Sequence, residues 1–308
     1  VSTDVIAGLF PGQGSHAGAR REHVARVLPE LLAECEALVG EDAFARAGES
    51  TRFAQPAIFC ASIAGWSERP RWLRPAALAG HSLGELSALV AAGALSPSAG
   101  LRLAVKRGEL MAAASEGCEE GMLALLGASE EQVDRLACEH ALILANDNAP
   151  GQVVLAGPTE RLRAASLAAR ERRVKAILLD VAGAFHTPAM ASAVKPFLVA
   201  LERIELAEPA VPVISGTSGL PFQDVRGELA AAIVMPVRWR AVMLALAGRP
   251  FGAGTFVDFG PGEVVARLVN RNLPEATVLA VEELAFAGEH ERSERREPNE
   301  RREPSGVI

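Results

Sequence analysis

The chain has 308 residues, 49% of them hydrophobic, and a net charge of −7; this predicts about two domains with a large core and argues against nucleic acid as the main partner. No apolar run reaches membrane-spanning length, and the start (Val1-Ser2-Thr3-Asp4) lacks a basic leader segment, so a cytoplasmic protein with no membrane partner is expected. Cys35, Cys60, Cys118 and Cys138 show no Cys-x-x-Cys spacing, which predicts small core residues of a reducing compartment, with no disulfide frame and no metal site.

Val5 to Phe10 reads as a buried strand, ended by Pro11-Gly12-Gln13-Gly14-Ser15, with helices around 20–39 and 55–66 behind it. A short apolar strand at 75–79 runs into Gly80-His81-Ser82-Leu83-Gly84 and then a helix from Leu86. Pro97 opens a further helix through Arg102, Arg107 and Met111, closing near Gly117. Beyond it come a strand at 121–127, a helix capped at Ser129, paired strands at 142–145 and 152–156, a helix over 158–171 and a strand at 174–181. That β-α-β-β-α-β order is a ferredoxin-like unit. It reads as an insertion, because α/β texture resumes with a helix over 188–201 and a strand at 211–215. Helices near 224–234 and 239–247 follow, then a strand at 255–259 closed by Gly260-Pro261-Gly262. From about Glu282 the chain turns strongly charged, which predicts a solvated, disordered tail. The expected division is a large domain from 1–119 and 186–282, a small one at 120–185, and a tail at 283–308.

Gly80-His81-Ser82-Leu83-Gly84 is a Gly-x-Ser-x-Gly sequence between strand and helix, the context of a nucleophile elbow. The plain alternative is a strand-to-helix turn. A serine needs a base within hydrogen-bond reach. His23, His140 and His290 lie in polar, exposed contexts; His16 follows the Gly-rich loop and could line a pocket mouth. His81 is expected to point to the other side of the elbow and to wall the site. His186 lies on a loop at a strand end, where α/β sites assemble, and reads equally as base or as a helix-capping residue. The backbone N–H groups of Leu83 and Gln13 are candidates for an oxyanion hole. Arg107 sits on an Ala/Leu-rich helix; a grip on a substrate carboxylate fits its planar fork, while the pattern alone favours a solvated or internally paired arginine.

These pieces, in order, resemble malonyl-CoA:acyl carrier protein transacylases and the acyltransferases of polyketide synthases. The matching residues are Phe10-Pro11-Gly12-Gln13-Gly14-Ser15, Gln55-Pro56-Ala57, Gly80-His81-Ser82-Leu83-Gly84-Glu85, Arg107-Gly108 with Met111, the segment from Gly151 to Gly157, Ala184-Phe185-His186, Pro236-Val237-Arg238-Trp239 and Gly260-Pro261-Gly262. The resemblance covers roughly 5–282. It implies an α/β-hydrolase-like large domain with the ferredoxin-like one inserted, Ser82 as nucleophile and His186 as its base. It further implies Gln13 and Leu83 as the oxyanion hole and Arg107 pairing with the free carboxylate of a malonyl-type group. The implied reaction is ping-pong, from an acyl-CoA such as malonyl-CoA through an acyl-Ser82 to the phosphopantetheine thiol of an acyl carrier protein, with no bound cofactor or metal. A stand-alone, trans-acting monomer is expected, in polyketide or fatty-acid biosynthesis. Phe185 would crowd an α-methyl branch, a preference of about 1–3 kcal/mol for malonyl.

Three positions depart from the family pattern. Ala232 stands where Gln or Asn is usual, at the residue whose main-chain carbonyl holds the histidine; His16 replaces a second glutamine; Gly183 stands where malonyl-specific polyketide enzymes often have His. An ordinary esterase is a poor fit, since its histidine comes near the end of the chain and His186 is mid-chain. The closer alternative is an editing acyl hydrolase or thioesterase acting on acyl carrier proteins, which has no need of a buried Arg107. A non-enzymatic carrier-docking module has no reason to keep Ser82, His186, Gln13 and Arg107 together.

Overall fold

Leu9 and Phe10, neighbours on β1 (Val5–Phe10), are both fully buried but belong to different cores. Successive strand residues point to opposite faces, so this strand needs cover on both sides. The computed structural model, which describes residues 5–15 and 20–281, shows how that cover is built. β1 pairs in parallel with β2 (Ala77–Gly80) and with β8 (Ala253–Asp258). β7 (Val213–Ile214) and β9 (Thr277–Ala280) form the edges, giving the order β7-β2-β1-β8-β9. Parallel neighbours need long crossovers, and helices supply them. On one face lie α1 (Arg21–Val27), α2 (Pro29–Val39), α3 (Thr51–Ser67), α4 (Gly84–Ala91), α5 (Pro97–Ser115), α8 (Ala191–Glu202) and α9 (Val225–Ala231). On the other lie α10 (Trp239–Ala247) and α11 (Val264–Asn272). Leu78 on β2 has no exposed surface; truncating such a leucine to alanine costs about 2–5 kcal/mol.

A second, antiparallel sheet is formed by β3 (Glu120–Leu126), β4 (Ile143–Ala149), β5 (Gln152–Pro158) and β6 (Lys175–Leu178), in the order β4-β5-β3-β6. With α6 (Glu130–Glu139) and α7 (Thr159–Glu171) as its crossovers, this is the ferredoxin-like order. α6 begins at a full capping box, Ser129 with Gln132. Both helices cover one face through Leu123, Leu125, Leu136, Leu155 and Leu162. The opposite face, with Met122, Ala145, Val154 and Ala156, joins the helical core of the parallel-sheet part. Main-chain bonds from Asp147 N to Val237 O (2.8 Å) and from Val237 N to Ala145 O (2.9 Å) tie β4 to the segment leading into α10.

Several expectations shift. The helix expected over 20–39 is two, because Pro29 takes the first turn of α2 and Leu28 leaves helical geometry. The last strand of the small sheet stops at Leu178, and 179–187 is irregular up to a single 3-10 turn at Pro188–Met190. α11 and β9 were not foreseen at all. Cys35 and Cys60 are core residues, whereas Cys118 and Cys138 are exposed. His23 and His140 are half-buried, and His23 pairs with Glu68 at 3.2 Å. Among the described residues no helix is long and apolar enough to cross a membrane. His16, His290 and the charged tail lie outside the described residues.

Candidate active site

The elbow is a matter of backbone clearance. A Cβ on Gly80 would lie 1.9 Å from the carbonyl carbon of Gly84, and one on Gly84 would lie 2.2 Å from Phe10 O. Only glycines let β2 turn this sharply into α4 beside β1. Ser82, between them, has φ +53°. A non-glycine residue in the left-handed region carries strain of about 1–3 kcal/mol, which a rigid surround must impose. The result is a hydroxyl presented at the C-terminal edge of the parallel sheet, at the start of a helix.

Ser82 Oγ lies 2.8 Å from His186 Nε2. His186 is buried on the loop between β6 and α8 and also has a left-handed φ of +61°. Its Nδ1 is 2.8 Å from Ala232 O. Since a carbonyl only accepts, Nδ1 carries the proton and Nε2 is free to accept from the serine. Ala232 is the residue just past α9, so its carbonyl is one that the helix leaves without a partner of its own. Burial, then the charge of Arg107, then His81 push the imidazole pKa down to about 3, against the opposing pull of the Ala232 and Met235 carbonyls. The ring is therefore neutral at neutral pH, as a proton acceptor must be.

Arg107 is buried on α5, contrary to the solvated or paired arginine that its pattern favours. Its Nη2 donates to Ser82 Oγ (3.1 Å) and its Nη1 to Gln55 Oε1 (2.9 Å). No acidic side chain among the described residues comes within ion-pair distance of it. Gln55 is fixed in turn: its Nε2 donates to Thr51 Oγ1 (2.8 Å), and the Thr51 hydroxyl donates to Gln13 Oε1 (2.8 Å). A line of hydrogen bonds thus runs from the Gln13 loop through α3 to Arg107 and Ser82. Burial lowers the guanidinium pKa to about 10, and only the charge of Glu85 opposes it. A buried cation held by neutral acceptors is a receptor for an anion.

The backbone N–H groups of Gln13 and Leu83 donate to no acceptor among the described residues. Both residues border the serine, Gln13 lining the same cavity and Leu83 following directly in the chain. His81 lines this cavity as a wall residue, with Nε2 2.8 Å from Asn148 Oδ1 and its ring 5.3 Å from that of Trp239. Burial lowers its pKa. Phe185 is buried against the cavity. At Gly183 a Cβ would lie 2.2 Å from Ser115 Oγ, so Ser115 fills the space that a histidine there would need.

The cavity holds about 900 Å³ between the two sheets. Met111 and Phe185 come from the parallel-sheet side and its connecting loop; Met122, Asn146, Asn148, Gln152 and Val154 come from the small sheet. Gln55, Thr51 and Asn148 had no assigned role in the sequence reading. The readable signal was a glutamine in the otherwise apolar stretch from Phe53 to Cys60, immediately before Pro56. Among the described residues no group of three His, Cys, Asp or Glu side chains could hold a metal ion.

Residues 31–302 match the profile of the family described as Acyl transferase domain. The chain is 36% identical over 284 residues to the polyketide biosynthesis protein ThaF of Burkholderia thailandensis, covering 87% of this chain and 24% of that protein. It is 36% identical over 309 residues to the malonyl CoA-acyl carrier protein transacylase of Bacillus subtilis, covering 91% of this chain and 97% of that one. It therefore spans about a quarter of the first relative's length and nearly all of the second's. A solved complex described as a type II polyketide synthase acyl-carrier protein with its malonyl-transacylase contains a chain that superposes with a TM-score of 0.81, at 29% identity over 92% of this chain and 99% of that one. With most of its length matched, this chain belongs to the acyl transferase domain family.

Proposed function

We propose that the protein moves a malonyl-type acyl group from CoA to the phosphopantetheine thiol of an acyl carrier protein, by way of an ester on Ser82. The observation that carries this reading is the buried Arg107, 3.1 Å from Ser82 Oγ and with no ion pair among the described residues. A dicarboxylic acyl group brings the missing anion to that point and sets its thioester carbon beside the serine. His186 takes the serine proton as Oγ bonds to the thioester carbon, and the Gln13 and Leu83 N–H groups receive the charge that forms on its oxygen. Collapse breaks the carbon–sulfur bond, and the proton on His186 goes to the departing CoA sulfur. The second half repeats this with the carrier thiol as nucleophile and Ser82 as leaving group.

Both halves are acyl exchanges, so the chemistry calls for no redox cofactor or metal. Every group in this scheme comes from one chain, so a monomer suffices, working in the cytoplasm with a carrier protein as partner. Relatives named for malonyl transfer to acyl carrier protein support the substrate pair. An editing hydrolase of simple acyl groups would have no use for an unpaired guanidinium beside its serine. The test is intact-protein mass spectrometry after brief exposure to malonyl-CoA. A malonyl adduct is expected, absent in Ser82→Ala and discharged by phosphopantetheinylated carrier protein. CoA release with no adduct and no carrier loading would overturn the reading in favour of hydrolysis.

A further inference from the structure

Gln13 reaches the cavity from the loop after β1, and its N–H is one of the two donors that the transfer scheme needs. That loop is pressed against the elbow, where a Cβ on Gly12 would lie 2.4 Å from His81 O. The Gln13 side chain is held by a single bond. Thr51 Oγ1 donates to its Oε1 at 2.8 Å, and among the described residues this is the only hydrogen bond that Gln13 makes through side chain or main chain. Thr51 is almost fully buried in the first turn of α3, one turn before Gln55 and on the same face. α3 can lie this close to α5 because the residue after Arg107 is glycine: a Cβ on Gly108 would lie 2.9 Å from Thr51 O. The direction of the line of bonds is fixed from its far end. A guanidinium only donates, so Gln55 presents Oε1 to Arg107 and Nε2 to Thr51. The Thr51 oxygen accepts that bond, and its proton is left for Gln13.

Gln55 does not depend on Thr51 in return. Its Nε2 also reaches Met111 Sδ at 3.4 Å, and its Oε1 stays with Arg107. Removing the Thr51 hydroxyl therefore leaves Gln55 with two partners and Gln13 with none. We propose that Thr51 is a positioning residue for the oxyanion hole, its hydroxyl fixing the Gln13 loop so that the Gln13 N–H points at the thioester oxygen. This rests on the acyl-transfer reading given above and adds to it the group that aims one of the two donors. A donor directed at developing charge loses much of its effect when it is displaced by about an ångström. Both half-reactions pass through an oxyanion at the same place, so both should slow together. Substrate affinity, which Arg107 and Gln55 retain, should not change.

The experiment uses Thr51→Val, which replaces the hydroxyl by a methyl group and keeps the branched shape. Acylation of Ser82 by malonyl-CoA, and discharge of the adduct to phosphopantetheinylated carrier protein, are followed by rapid quench and intact-protein mass spectrometry. The maximal rate of each step should fall by about 10-fold or more, with the half-saturating concentration within about twofold. The final adduct per protein should be unchanged, which a loss of folded enzyme would not leave. Thr51→Ser keeps the hydroxyl and should recover most of the rate. Gln13→Met cuts the same bond from its other end while keeping the N–H, and the double variant should be no slower than the slower single one, since both remove one interaction. Rates in Thr51→Val within about twofold of the natural protein, or a loss confined to half-saturation, overturn the proposal and leave the transferase reading standing. A serine variant as slow as the valine one, or additive losses in the double variant, do the same. If malonyl-CoA forms no adduct on Ser82 of the natural protein, both fall. Should Thr51→Val not fold, Gln13→Met decides by the same rate and half-saturation criteria.

Discussion

The two sheets contribute different kinds of group to the cavity between them. The parallel-sheet side supplies Ser82, Arg107, Gln13 and Gln55, joined by hydrogen bonds of 2.8–3.1 Å into one connected frame. The small antiparallel sheet supplies amides and apolar side chains, Asn146, Asn148, Gln152, Met122 and Val154, and no titratable group from its β4 and β5 strands faces the serine. Bond making depends on sub-ångström placement, whereas recognition of a long, flexible arm tolerates looser partners. Damage to the first side should therefore appear in kcat and damage to the second in KM.

Three substitutions can break that division. His186→Ala removes the imidazole bonded to Ser82 Oγ and, on the proposed mechanism, should lower malonyl transfer by about 10³-fold or more at unchanged substrate affinity, read by steady-state kinetics. Arg107→Ala should lower malonyl loading by roughly 10- to 100-fold, the loss of charge-assisted hydrogen bonds, while simple acyl groups load equally well or better. Malonyl transfer unchanged in that variant would sink the dicarboxylate reading. Asn148→Ala removes the partner of His81 on the small-sheet side and should raise the KM for acyl-CoA by about 3- to 10-fold, with kcat within about twofold. A larger fall in kcat than in affinity there would erase the distinction between the two sides.

The smallest effect on turnover, but a measurable one on stability, concerns Asp258 at the end of β8. Its carboxyl accepts from Gly260 N at 3.0 Å, and burial pushes its pKa up to about 7. A carboxyl whose folded pKa lies above its unfolded one stabilises the fold at low pH and loses that contribution as pH rises through the folded value. Stability should thus fall between about pH 4 and about pH 7, and Glu85 adds a loss of the same sign. Asp258→Asn should reduce the fall by on the order of 2 kcal/mol in urea unfolding. A pH dependence identical in the variant would show that the carboxyl is already ionised in the fold.

The chain order of the elements was legible where punctuation is local. Gly80 and Gly84 mark the elbow because a Cβ at either would strike backbone, and Ser129 with Gln132 marks the start of α6 because both partners sit within one turn. α11 and β9 were missed for the opposite reason: Gly260-Pro261-Gly262 reads as an ending, and the edge strand β9 is half-exposed without the alternation that a covered strand shows. Within the site, His186 reads equally as base or capping residue from the sequence, and its approach to Ser82 is a contact across 104 residues that no local pattern announces. The burial of Arg107 depends on Gln55, 52 residues away, which no pattern on α5 announces. Pairings of that kind belong to tertiary structure alone.

The main-chain carbonyl behind His186 has a consequence for how this site can be altered. Whatever side chain stands at 232, the oxygen 2.8 Å from Nδ1 is the same oxygen. An alanine scan along α9 would therefore pass over this position in silence, and drift between alanine, glutamine and asparagine there is free of penalty at that contact. The vulnerable feature is the place where the helix stops. A proline inserted a few residues later, or one residue added to α9, would rotate the carbonyl away and disable the histidine with every expected side chain still present.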